Sequence, residues 1–352
     1  MTKYKFRPHA LLLLLPIILS ACTLSVNKPQ SAGVFYSNTE GVSWEHRVFV
    51  GQDKKKTVTI ASYDIGYFVF HPNDEQILYV STKEAGIFKT IDKGLHWMQT
   101  PLSQGYYPSF VIDPKTPTIQ YAASGGTVLK STDDGATWAG KFIEQPGISI
   151  TAIGVNPDRP NIIWAANSRG GLLKSEDFGN NWELITMFTE SVRKFVFSER
   201  DSQVMYLLLS GLGFTKSTDG GKTWTFASAE ALSGFPGSLP FQSFQLRPNT
   251  LGDIVTGSAY GFMRSTDGGE TWKAIETVIP FGAGVISNAL MHPSNPDKLF
   301  FTSGNTFYSS TDGGTTWKTL QTIPTEHIIT SLTFHPLNDQ ELFAGITKIK
   351  KK

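Results

Sequence analysis

Seven near-copies of one eight-residue phrase run through the chain, and no other feature restricts the fold as much. Each full copy has a hydroxyl residue, an aspartate two positions on, a glycine two further and a closing tryptophan. Thr90 leads to Asp92, Gly94 and Trp97, and Ser131 to Asp133, Gly135 and Trp138. Ser175 leads to Asp177, Gly179 and Trp182, and Ser217 to Asp219, Gly221 and Trp224. The series ends with Asp267, Gly269 and Trp272, then Asp312, Gly314 and Trp317. The first copy, Ser37 to Trp44, has Thr39 in place of the aspartate. Successive tryptophans stand 53, 41, 44, 42, 48 and 45 residues apart, a period that marks a repeat architecture. Ser and Asp side chains hold a tight turn through nearby backbone amides, and glycine takes the positive φ the turn needs. The tryptophan starts the outgoing strand and supplies apolar surface where neighbouring sheets meet.

A second pattern precedes the phrase at a fixed distance: an apolar run, a proline, then another apolar run. The prolines are Pro72, Pro114, Pro157, Pro248 and Pro293, lying 25, 24, 25, 24 and 24 residues before the tryptophan. Proline ends a strand because it has no amide for the ladder. Each repeat therefore reads as four short strands, A to D. The copy at Phe195-Val196-Phe197-Ser198-Glu199 lacks the proline. After Trp317 the chain offers strands A and B, through Pro336 and Leu342-Phe-Ala344, and then no further phrase. The segment from Gly33 to Trp44 begins at strand C. The two ends complete one blade, which predicts an all-β, seven-bladed propeller closed by N-terminal strands C and D on C-terminal strands A and B. The propeller is expected over residues 33–346 as a single domain, with a basic tail at 347–352.

The phrase resembles the Asp-box, or bacterial neuraminidase repeat, Ser-x-Asp-x-Gly-x-Thr-Trp. By that resemblance the boxed C–D turns share one face, and the D–A and B–C loops that bind ligands share the other. The boxed aspartates are then scaffold and no catalytic residue is expected among them.

The chain opens on Lys3, Lys5 and Arg7, an apolar run from Ala10 to Leu19, and Leu19-Ser20-Ala21-Cys22. The run is short for a membrane span and the small residues read as a processing site. This resembles a bacterial lipoprotein signal, which implies a signal peptide at 1–21, lipid on Cys22 and a tether at 22–32. A cleaved secretory signal or an uncleaved anchor is the alternative. Thr23 follows where aspartate would imply inner-membrane retention, so an outer-membrane or cell-surface address is expected.

Composition narrows the partners. Lys plus Arg (31) against Asp plus Glu (30) gives a net charge of +1, so no basic field calls for nucleic acid. A single cysteine excludes an internal disulfide and a thiolate zinc cluster. No cofactor and no metal are expected, and the chain is read as a monomer. His71, His292 and His335 each precede a strand-ending proline; a metal at the channel mouth is one reading and polar strand ends are the other.

Long loops on a rigid ring are where binding resides. The candidate binding face comprises Lys54, Lys55, Lys56, Tyr106, Tyr107, Arg169, Phe235 and Tyr260, with ordinary solvated loops as the alternative. Of the arginines, only Arg169 and Arg193 fall near that face. Sialidases use an arginine triad and a Phe/Tyr-Arg-Ile-Pro segment, absent here. Xyloglucanases pair two propellers around their cleft, and this chain has one.

The chain most resembles the photosystem II stability/assembly factor family and its bacterial homologues, and in repeat style the sortilin-type propellers. That resemblance implies a non-enzymatic assembly and protein-binding scaffold, although the family's arginine-rich patch has no counterpart here; with the lipoprotein signal, the expected function is a membrane-anchored scaffold binding a protein or glycan through the loop face. The alternative is a glycoside hydrolase, sialidase-like or related, or a lectin-like module.

Overall fold

In a computed structural model of the chain, each full phrase closes the same turn. The hydroxyl of the leading Ser or Thr accepts the glycine amide at 2.8–2.9 Å, from Gly94 on Thr90 through Gly314 on Ser310. It also donates to the aspartate two residues on, as Ser265 does to Asp267 at 2.8 Å. The other carboxylate oxygen accepts a side chain near the end of the phrase, such as the hydroxyls of Thr137 and Thr223, both at 2.6 Å. The glycines sit at φ of +83° to +91°, a region closed to most side chains. In the first copy Thr39 Oγ1 replaces the carboxylate and accepts the Ser43 amide at 2.9 Å.

The structure describes residues 32–53, 56–226, 228–320 and 323–349. Their strands form seven antiparallel blades. The innermost strands are Ile65–Phe70, Phe110–Ile112, Ile150–Val155, Val192–Phe197, Ser243–Leu246, Asn288–Met291 and Ile328–His335, in blades 1 to 7. The ring closes as the repeat phase predicts: Gly33–Ser37 pairs with Asn338–Thr347, Phe35 opposite Ala344, and Glu45–His46 forms the outer edge. Blade 4 departs from the four-stranded pattern, its outer strand reduced to one bridge between Lys216 and Thr225. A hairpin of Phe49–Asp53 and Lys56–Thr59 fills the long connection between blades 7 and 1. Among the described residues, helix is confined to the single turn Ser228–Ala231, and none is long and apolar enough to cross a membrane.

Two backbone networks separate the faces. In every blade an amide of the phrase turn donates to a carbonyl of the A–B turn, as Lys93 does to Gln76, Gly268 to Gly252 and Glu40 to Gln340. On the opposite face, B–C turns bond to D–A loops, as Phe188 does to Gly170 and Ile286 to Ser258. Each of the seven buried apolar clusters straddles one junction between consecutive blades. The second strands are the most buried, Leu78–Thr82 and Met205–Leu209 at every residue. Apolar burial is thus shared between blades, which holds them edge to edge around the axis.

Candidate functional site

The inner strands fix what faces the axis. At six of the seven junctions a hydrogen-bonding side chain near the start of an inner strand bonds to the next blade. Tyr67 donates to the Tyr107 carbonyl at 2.8 Å, and Ser109 Oγ accepts the Ile153 amide at 3.0 Å. Thr151 donates to the Val192 carbonyl at 2.7 Å, and Ser243 Oγ accepts the Ala289 amide at 2.8 Å. Asn288 donates to the Ile329 carbonyl at 3.0 Å and Thr330 to the Ile65 carbonyl at 3.2 Å. In blade 4 the corresponding positions are Arg193 and Lys194. Arg193 reaches the Phe241 carbonyl of blade 5 at 3.4 Å, and Lys194 has no partner among the described residues.

These two cations stand where two cavities meet. One, of about 560 Å³, is bounded by the inner strands of blades 1 to 4, with Phe68, Phe70, Val111, Phe195 and Phe197 on its walls and Tyr106 near the loop face. The other, of about 280 Å³, faces blades 5 to 7 and presents Gln242, Ser243, Gln245, Asn288, Thr330 and Ser331. Lys194 is exposed to the solvent of the channel, and the ring of protein around it lowers its amine below the usual lysine range. Glu199 is the one carboxylate lining the larger cavity, and the smaller has none. Glu199 lies five residues from Lys194 along the chain, roughly 16 Å at strand rise, too far to neutralise it.

The expected binding residues are distributed differently. Tyr106 is half-exposed on the channel wall, whereas Tyr107 is buried in the core between blades 1 and 2, beside Ile87 and Leu102. Tyr107 therefore presents its backbone carbonyl, not its ring, to its neighbours. Arg169 is exposed on a B–C turn and Lys56 on the added hairpin; Lys54 and Lys55 lie outside the described residues, as does Cys22. Phe235 meets Tyr260 edge-on at 5.4 Å, and Tyr260 stacks on Phe281 at 5.0 Å, forming an aromatic cluster over blade 5. Phe281 and Lys194 are additions that the sequence analysis does not single out. Arg247 and Arg264 both bind buried Asp253, at 2.8 and 3.0 Å, on the phrase face.

The three pre-proline histidines share one local task. His71 Nδ1 accepts the Asn73 amide at 3.3 Å, His292 Nδ1 accepts Ser294 and Asn295 at 3.2 Å, and His335 Nδ1 accepts Leu337 at 3.1 Å. Asp113 and Asn156 cap the same turn in blades 2 and 3 with a side-chain oxygen. An Nδ1 used as acceptor places the ring proton on Nε2, which in His292 and His335 is buried without a hydrogen-bond partner among the described residues, although Glu40 and Asp339 lie 3.8 and 3.9 Å from His292 Nε2. Burial lowers the pKa of both rings.

Comparison with known proteins follows this geometry. A family model described as sortilin, neurotensin receptor 3 (Sortilin-Vps10) matches residues 261–352. A probable oligoxyloglucan-reducing end-specific xyloglucanase of Neosartorya fischeri is 25% identical over 232 residues, 56% of this chain and 28% of that protein. The GH74 xyloglucanase of Xanthomonas campestris superposes with a TM-score of 0.62 at 16% identity, covering 86% of this chain and 52% of that one. YCF48 bound to D1 peptide superposes with a TM-score of 0.60 at 15% identity, covering 82% of this chain and 94% of that one. The chain thus spans about half of the solved xyloglucanase and nearly all of YCF48. It is a single seven-bladed β-propeller, similar in fold to both and matched by the sortilin model over its last blades.

Proposed function

We propose that this protein is an exported, lipid-anchored, non-enzymatic scaffold that binds a protein or glycan ligand at the loop face of its propeller, around the channel mouth. The observation that carries the reading is the charge pattern of the channel. Arg193 and Lys194 stand without a carboxylate partner, while Glu199 is alone as an acid in the cavity. Glycoside hydrolysis ordinarily uses two carboxylates about 5–9.5 Å apart, and the channel lining offers no such pair. A solved neighbour in fold, YCF48, is described bound to D1 peptide, which supports the reading. The anchor is Cys22, followed by the tether at 22–32. Partners reach the loop face past Lys56, Tyr106 and Arg169.

The second reading, a glycoside hydrolase, is favoured by the 25% identity to a xyloglucanase. A panel of xyloglucan oligosaccharides and sialosides, run beside glycan and peptide arrays on the purified protein, separates the two. The scaffold reading expects binding without turnover, weakened by Tyr106→Ala or Arg169→Ala. Turnover abolished by one loop-face carboxylate substitution refutes it. The anchor reading fails if Cys22→Ser protein stays membrane-bound and the wild type carries no lipid.

A further inference from the structure

The channel is chemically divided. On the side of blades 1 to 4 its walls are mostly aromatic and aliphatic, with the Tyr106 hydroxyl near the loop face and the Glu199 carboxylate toward the other end as the polar groups left open. Tyr67 is committed to the Tyr107 carbonyl and Ser109 to Ile153. On the side of blades 5 to 7 the lining is amide and hydroxyl, and the side chains of Gln242 and Ser331 have no hydrogen-bond partner among the described residues. At the border stand Lys194, unpaired, and Arg193, held by one long contact.

Each part limits the occupant. The stretch of wall from Phe68 to Phe197, between Tyr106 and Glu199, has few free donors or acceptors and suits hydrocarbon, whereas a peptide brings one donor and one acceptor per residue that need partners. Two adjacent cations on the channel wall, open to its solvent and without a counter-charge, favour an anion at the border. The free amide and hydroxyl beyond it suit a hydroxylated head. A cavity of about 560 Å³ is of ligand-binding size.

From this we propose that the channel is a receptor for single-chain anionic amphiphiles. The phosphate or carboxylate lies on Lys194 and Arg193, the hydrocarbon runs along Phe68, Phe195 and Phe197, and the head faces Gln242 and Ser331. The proposal rests on the reading of the channel mouth as the binding face, and adds to it the chemistry of a ligand.

The test is calorimetric titration of the full chain with four probes below their micelle concentrations: lauroyl-lysophosphatidylglycerol, laurate, monolaurin and glycerophosphoglycerol. Saturable binding of the two anionic amphiphiles is expected, at least tenfold tighter than the neutral monolaurin or the chainless head. Lys194→Met combined with Arg193→Met should weaken both at least tenfold, and Lys194→Arg should retain binding. Gln242→Ala should weaken the lysophospholipid but not laurate. Thermal melting of each variant controls for folding. Equal affinity for monolaurin and laurate, or unchanged binding in the double variant, overturns the proposal. If no amphiphile binds while an array ligand still depends on Tyr106, the scaffold reading stands and the amphiphile site alone falls. Blank arrays with intact amphiphile binding give the reverse.

Discussion

Removing the carboxylate of Glu341 tests how the two chain ends hold the ring shut. Glu341 comes from the last strand and is buried; Tyr36, from the first described strand, donates to its Oε1 at 2.9 Å, and Lys93 of blade 1 binds the same oxygen at 2.7 Å. Tyr36 is in turn covered by the Arg47 guanidinium, 3.5 Å from its ring centroid. Glu341→Ala leaves the Lys93 amine, only 13% exposed in its side chain, with Glu75 at 3.5 Å as its remaining partner. Breaking a buried pair by deleting one partner costs about 3–5 kcal/mol, and the surviving Glu75 contact places this case near the lower end. With an unfolding entropy of about 2 cal/mol/K per residue over roughly 300 residues, ~3 kcal/mol lowers Tm by about 5 °C. The companion variant, Glu341→Met with Lys93→Met, removes both charges, and should recover most of the loss except the ~1 kcal/mol of the orphaned Tyr36 hydroxyl. Glu341 Oε2 has no partner, which favours that recovery. Calorimetric melting and a double-mutant cycle read the outcome. A Glu341→Ala protein melting within about 1 °C of wild type, or a coupling below ~0.5 kcal/mol, refutes the closure argument.

Gly269→Ala should destabilise by about 2 kcal/mol or more in urea unfolding, because φ is +91° and the added Cβ would press into the Phe214 ring. Stability should fall as pH drops from about 6.5, since unfolded histidine takes up a proton there while burial holds His292 and His335 neutral to lower pH. His335→Asn keeps the turn cap that Asn156 provides in blade 3 and removes one titration, so its melting temperature should depend less on pH between 7 and 5. A second loss should follow between about pH 4 and 2. The Thr137 hydroxyl and amide hold Asp133 at about 2, and the Thr316 hydroxyl and amide do the same for Asp312. Their contribution is complete above the unfolded value near 3.9 and disappears as pH falls through the folded one. Thr137→Val should raise the pH of that loss at blade 2, measurable from the Asp133 carboxyl by nuclear magnetic resonance.

The ring was legible because its signals are local and repeated. Ser131, Asp133 and Gly135 determine one turn with their own side chains, and the phase of the copies at the two ends dictates that Gly33–Ser37 meets Asn338–Thr347. The hairpin at Phe49–Thr59 has no such phrase, and its strands arise from pairing with each other outside the blade repeat. Blade 4 loses most of its outer strand, as the sequence Trp224-Thr225-Phe226 shows no turn residue to announce it. Two adjacent loop tyrosines look alike in sequence, but the segment before Phe110–Ile112 sends Tyr106 to the channel and Tyr107 to the core between blades 1 and 2.

The cation pair was hidden for a different reason. Arg193 and Lys194 look like an ordinary charged stretch until the seven inner strands are laid in register, where the equivalent places hold Ser109, Thr151, Ser243, Asn288 and Thr330. A short hydroxyl or amide there closes a junction near the loop face, while in blade 4 that place offers only the 3.4 Å contact of Arg193 with the Phe241 carbonyl, and the junction with blade 5 is held instead nearer the phrase face by Ser198 on Thr250 and Tyr206 on Leu251. Blade 4 is also the one whose A–B turn lacks the proline, with Ser198-Glu199 in its place, so the two departures from the repeat fall on the same blade. A pair of like charges side by side on one strand, with no carboxylate partner among the described residues, costs stability through their mutual repulsion. The presence of both departures in one blade, beside the aromatic side chains of Phe195 and Phe197 that line the large cavity, is the pattern expected where a ring departs from its repeat to hold a ligand.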